Sequence, residues 1–102
     1  MARLVVMYGT PTDKTAFDKY YFEKHIPLAK TIPGLRKYEV NRGPISTPTG
    51  PSRIHLIATL EFDSAAALQA AFGSAEGRAA AADVPNFATG GVEMFMFDNR
   101  EV

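Results

Sequence analysis

The chain opens on an apolar run, RLVVMY (3–8), with large or β-branched side chains at both odd and even positions. That pattern predicts a strand buried on both faces. GTPTD follows as a turn, with Thr12 or Asp13 placed to cap a helix. In the helix predicted from about Lys14 to Thr31, Phe17, Tyr21, His25, Leu28 and Ile32 recur at spacings of four, four, three and four, and so share one face. IPG (32–34) ends it. LRKYEVNRG (35–43) reads as a second strand whose extra charge suits a sheet edge. PISTPTGPS (44–52) is a loop.

RIHLIATLEF (53–62) alternates most cleanly. Ile54, Leu56, Ala58, Leu60 and Phe62 fall on one face, and His55, Ile57, Thr59 and Glu61 on the other. Asp63 or Ser64 caps AAALQAAF, which Gly73 stops. SAEGRAAAAD (74–83) adds a further helical turn or two, with Gly77 as its weak point. VPNFATG is an irregular connector. GVEMFMFD (91–98) is the last strand, with Val92, Met94 and Met96 on one side and Phe95 and Phe97 on the other.

The order β-α-β-β-α-β predicts an α+β domain of the ferredoxin-like plan, with two helices on one face of a four-stranded antiparallel sheet. The other face would carry Val5 or Val6, Ile57 and Phe95, too large an apolar patch to leave bare. A second copy packed sheet against sheet under two-fold symmetry covers it, so a homodimer is expected. His55, Thr59 and Glu61 would then sit inside or at the rim of an enclosed cavity.

Length, charge and composition narrow the function. The 102 residues favour a single domain, 1–102, marginal as an isolated monomer. Eleven basic and eleven acidic side chains cancel, leaving no electrostatic footprint for nucleic acid or an anionic membrane. The absence of cysteine removes disulfides, thiolate chemistry and cysteine-held metals. The apolar run Leu4–Tyr8 is too short for a signal-peptide core or a membrane span, so a cytoplasmic protein is expected. No GxGxxG, P-loop or GxSxG motif is present, which excludes the commonest dinucleotide, nucleotide and hydrolase signatures.

Two histidines are candidate acid–base groups, because an imidazole exchanges a proton near neutral pH. His25 lies one turn after Tyr21. Pro27 has no N–H for the carbonyl of Glu23, so a bend there can tip His25 toward a pocket mouth. The alternative is a buried histidine satisfied by a backbone carbonyl. Strand parity places His55 on the face expected to line the barrel, although a one-residue slip would reverse it to an exposed position beside Arg53. Asp83 is either a turn-forming carboxylate or one that orients an imidazole or a substrate hydroxyl. Tyr8, Tyr20, Tyr21 and Tyr38 are potential polar handles in an apolar pocket, Tyr21 foremost because it shares a face with His25. Phe87 is a pocket lid or, by preference, a packing anchor. The expected catalytic residues are His25 and His55, with Tyr21, Tyr38, Asp83 and Phe87 against substrate. A metal on His25, His55 and Glu61 or Asp83 has no HxH or HxxxH spacing behind it. No metal or cofactor is expected.

AFDKYYFEKHIPLAKTIPGLRKYEVNRG, followed by IHLIATLEFDSAAALQAAFGSAEGRAAAADVPNFATGGVE, resembles the EthD family of dimeric α+β barrel proteins. The resemblance runs from Val5 to about Met94, and its most specific parts are FDKYYFEKHIPL, PGL, EFDS and AAAADVPNF. It implies a homodimer with a small-molecule pocket between sheet and helices in each subunit. It also implies a functional histidine at the position of His25 and, by similarity to isomerase-like barrels, a ligand-facing one at that of His55. EthD itself is associated with an accessory role in ether degradation. Similar barrels include a muconolactone-type methylisomerase, cofactor-free monooxygenases of polyketide pathways and dehydratases. The expected function is a cofactor-independent enzyme of catabolism or secondary metabolism. It would isomerise, eliminate from or oxygenate a small cyclic or aromatic metabolite, with a histidine as acid or base. The rivals are a non-catalytic accessory or ligand-binding homodimer of a small apolar compound, and a purely structural dimer with a filled core.

Overall fold

The computed structural model describes residues 1–102. Strand β1 (Ala2–Gly9) leads into α1 (Lys14–Tyr20), a π-helical turn (Tyr21–His25) and α2 (Ile26–Ala29). Strand β2 (Lys37–Val40) and a small hairpin, β3 (Ser46–Thr47) with β4 (Gly50–Pro51), come next. After them come β5 (Ile54–Phe62), α3 (Ala65–Gly73), α4 (Ala75–Asp83), a 3₁₀ turn (Val84–Asn86) and β6 (Val92–Asp98). The main sheet has the order β2-β5-β1-β6, antiparallel throughout. Apart from the hairpin inside the segment predicted as loop, this is the ferredoxin-like plan with helices on one face. No helix is long and apolar enough to cross a membrane.

Register settles which residues face the helices. Leu4, Val6 and Tyr8 of β1 lie opposite Leu60, Ala58 and Leu56 of β5, and opposite Met96, Met94 and Val92 of β6. These β1 and β5 residues are buried together with Phe17, Tyr21 and Leu68 from the helical layer. On the other face Val5, not Val6, stands between Thr59 and Phe95, and Met7 between Ile57 and Glu93. Phe95 and Phe97 remain 47% and 46% exposed there.

Three local departures from regular geometry shape the site. The first is in the long helix, which takes an extra residue into its turn before Pro27: the Ile26 N–H bonds to the Tyr21 carbonyl, one residue farther back than in an α-helix. Proline lacks an N–H, so the regular ladder already fails at this point. The inserted residue rotates the rest of the helix about its axis. Ala29 and Ile32 continue the buried face after His25, whereas Leu28 is only half-buried. The second is a bulge in β5. Tyr8 pairs with Leu56 but Gly9 with Ile54, which leaves His55 as the extra residue. The third is the end of β2 at Val40, shorter than predicted, where the Asn41 side chain accepts from the Ile57 N–H in place of a strand carbonyl.

Gly77, the weak point of 74–83 by propensity, has a packing reason. Ser74 ends α3 and caps α4, accepting from the Gly77 N–H at 3.0 Å. A Cβ on residue 77 would fall 2.1 Å from the Ala71 carbonyl oxygen. Alanine for glycine inside a helix ordinarily gains about 1 kcal/mol. Here the sign reverses: Gly77→Ala should cost about 2–3 kcal/mol through backbone overlap, read as a lower urea midpoint at unchanged slope.

Candidate active site

A cavity of about 230 Å³ lies between the sheet and the helical layer. Its floor is sheet: Leu4, Val6 and Tyr8, then Ala58 and Leu60, with Tyr38 from β2. Its roof carries Tyr21, His25, Ala29, Ala80 and Val84. The space exists because Ala58, Ala29 and Ala80 stand where larger side chains would meet. The most exposed lining residues are Ala81, Met94 and Met96, so the mouth runs along the seam between α4 and β6. No Lys, Arg, Asp or Glu lines the cavity.

His25, 5% exposed, is the one imidazole in this wall. The π-helical turn holds it beneath the end of α4, where its Nδ1 lies 2.9 Å from Asp83 Oδ2. Asp83 is itself well held. Its Oδ1 accepts from the Tyr20 hydroxyl at 2.6 Å and from Asn86 Nδ2 at 3.0 Å. Asn86 comes back into reach because Pro85 stops α4 and the 3₁₀ turn folds the chain over its end. Burial works against the charge on Asp83, but the bonds from Tyr20, His25 and Asn86 outweigh it and lower its pKa. An ionised carboxylate only accepts, so Nδ1 carries the proton. Burial, partly offset by Asp83, lowers the His25 pKa below 6.5. The neutral ring therefore presents a bare Nε2 lone pair. That nitrogen has no partner in the chain and is not sealed off.

Aromatic rings brace the pair. Phe87 is buried with its ring centroid 4.7 Å from that of His25, and it also packs on Tyr8, Phe17, Tyr20 and Tyr21. Phe87 is thus a packing anchor and lies outside the cavity lining. Tyr21 and Tyr38 line the cavity and share a 2.6 Å hydroxyl–hydroxyl bond. Burial raises the pKa of both, so both stay protonated.

His55 is not brought to this cavity. The bulge turns it toward α1, where Nε2 lies 2.7 Å from Asp18 Oδ1 and the ring meets Phe17 edge-on at 5.0 Å. Strand parity misplaced it because the bulge inserts one residue just where β5 begins. Thr59 and Glu61 lie on the sheet face away from the helices, where strand parity puts them, with Glu61 3.4 Å from Arg3, and so stand apart from this sheet–helix cavity. Asp83 acts behind the imidazole and not on the lining. No group of three or more His, Asp or Glu side chains is placed to hold a metal ion. The residue that the sequence reading undervalued is Tyr8. Its parity with Leu4 and Val6 was the available signal for a helix-facing phenol.

Comparison with known proteins agrees with this architecture. The EthD domain family matches residues 10–91. An uncharacterised 11.0 kDa protein of Rhodococcus erythropolis, from the thcB–thcC intergenic region, is 40% identical over all 102 residues and 98% of its own length. A crystal structure of an EthD family protein from Bacillus halodurans superposes with a TM-score of 0.90 at 35% identity, covering 98% of this chain and 99% of that one. SnoaB, a cofactor-independent oxygenase from Streptomyces nogalater, shares the fold at a TM-score of 0.69 and 14% identity, over 99% of this chain and 94% of its own. By family match and by full-length similarity, the chain belongs to the EthD family.

Proposed function

We propose that this protein is a cofactor-independent enzyme in which His25 moves a proton on a small, apolar, cyclic or aromatic metabolite. The observation that carries the reading is the pairing of His25 with Asp83 at the wall of an otherwise uncharged cavity. Asp83 holds the tautomer and stabilises the imidazolium that forms when Nε2 takes a proton, the part a carboxylate plays behind any histidine base. The tyrosine hydroxyls stabilise the negative charge left on a substrate oxygen. Protonation at a second carbon gives isomerisation, loss of a leaving group gives elimination, and reaction of the carbanion with dioxygen gives oxygenation. That a protein of the same fold is named a cofactor-independent oxygenase accords with the last route. His55 has no part in this scheme. An accessory ligand carrier is the second reading, favoured by the apolar lining alone.

His25→Gln should lower kcat about 10²–10⁴-fold on any substrate found by screening small cyclic ketones and phenols. Full turnover in that variant would leave the carrier reading. The active form is neutral His25, and burial keeps its pKa below 6.5. Activity should therefore hold as pH falls to 6.5 and decline only below it. Asp83 raises that pKa, so Asp83→Asn should move the acidic limb lower still. The tautomer has its own readout: nitrogen NMR near neutral pH should show His25 protonated at Nδ1 and bare at Nε2. An Nε2–H tautomer would remove the base.

The same proposal includes a homodimer, built through the sheet face that the helices leave open. Val5, Met7 and Ile57 are half-buried there, and Phe95 and Phe97 stand exposed beside them. Sedimentation at micromolar concentration should show a dimer, and Phe95→Lys should give monomers of lower stability. A stable monomer for the unaltered chain would remove this part of the proposal.

A further inference from the structure

The cavity contains one more polar group, and it has no partner in the chain. Tyr8 is 1% exposed, yet its hydroxyl makes no hydrogen bond within the protein and is not sealed off from the cavity. Its only polar outlet is therefore the cavity, where a ligand oxygen can meet it. Tyr8 packs edge-on against Tyr21 at 5.6 Å, and Tyr21 in turn lies 5.2 Å from the His25 ring. Burial, Tyr38 and Asp83 all disfavour the phenolate, so Tyr8 is a fixed donor. The Tyr21–Tyr38 pair adds another. Whichever hydroxyl donates across their bond, the proton of the other remains free.

The polar inventory of the wall is therefore tyrosine hydroxyls, each with a proton to donate, and His25 Nε2, the one basic lone pair. No cation lines it to meet a carboxylate or phosphate, and the charge on Asp83 behind His25 opposes any bound anion. No carboxylate lines it to meet an amine. An apolar cavity of about 150 Å³ takes benzene, so about 230 Å³ accommodates a two-ring compound.

We infer that the cavity selects a neutral, weakly acidic oxygen compound of one or two rings, a phenol or enol, anchored by the Tyr8 hydroxyl while its acidic proton is offered to His25 Nε2. The inference deepens the acid–base reading and rests on it for the lone pair of His25. It makes Tyr8 a ligand-binding residue, and it excludes carboxylates, phosphates and amines as ligands of this site.

Three probes of equal shape test it by equilibrium binding to the unaltered protein near neutral pH: 2-naphthol, 2-methylnaphthalene and 2-naphthoate. The expected order is 2-naphthol about tenfold or more tighter than 2-methylnaphthalene, and 2-naphthoate about a hundredfold weaker than 2-naphthol. Tyr8→Phe should erase most of the naphthol advantage while keeping the affinity for 2-methylnaphthalene. Equal affinity for 2-naphthol and 2-methylnaphthalene overturns the inference, as does naphthoate binding best. The unaltered protein alone decides between these outcomes if Tyr8→Phe does not fold. The series reads no turnover, so it fails separately from the enzyme proposal. Naphthol preference without catalysis sinks the enzyme and keeps this inference, whereas His25-dependent catalysis by a protein that prefers naphthoate does the reverse.

Discussion

Everything in this molecule depends on how little helix there is to cover the sheet. Two helical segments lie on one face of four strands, and they meet that face through small residues at its centre. Ala29 and Ala80 above and Ala58 below leave a space that leucines would close. On the opposite face no helix lies at all, and Val5 and Ile57 are only half-buried while Phe95 and Phe97 stand exposed. A cavity on one side and an uncovered apolar face on the other are two consequences of the same shortage. Burial of apolar area is the main favourable term in folding a small chain, and in both places this chain by itself leaves that burial incomplete.

Within the cavity the decisive contact is between residues 58 apart in the chain, His25 and Asp83. Neither side chain defines a site alone. Asp83 at the end of a helix faces the negative end of its dipole, an unfavourable place for a carboxylate. Three donors from three different elements make it tolerable: Tyr20 from α1, His25 from the π-helical turn and Asn86 from the 3₁₀ turn. The cost of that arrangement explains its chemistry. The carboxylate stays ionised, the imidazole is held in one tautomer, and the proton-accepting nitrogen is the one that meets the cavity.

Local sequence patterns located the strands, the helix starts and the alternation of faces, because those depend on neighbours along the chain. Ser64 and Ser74 cap helices as short polar residues before helical runs do. Two of the departures from the sequence pattern come from an insertion of one residue. A bulge at His55 turned a barrel-facing histidine toward Asp18. An extra residue in the turn before Pro27 put Ala29 on the buried face in place of Leu28. Such insertions are chosen by the balance of packing across the whole layer, so the period of the local pattern does not record them.

The sequence by itself determined the order of elements, the family, and the presence of an imidazole and several phenols on apolar faces. Periodicity and capping are short-range, and apolar residues must be buried whatever the partner. Tertiary structure alone decided that His25 and not His55 reaches the cavity, that Asp83 stands behind it, and that Tyr8 is left without a partner. Those outcomes depend on hydrogen bonds between distant elements and on which side of a sheet a single inserted residue sends a side chain. Both are settled only when the layers pack.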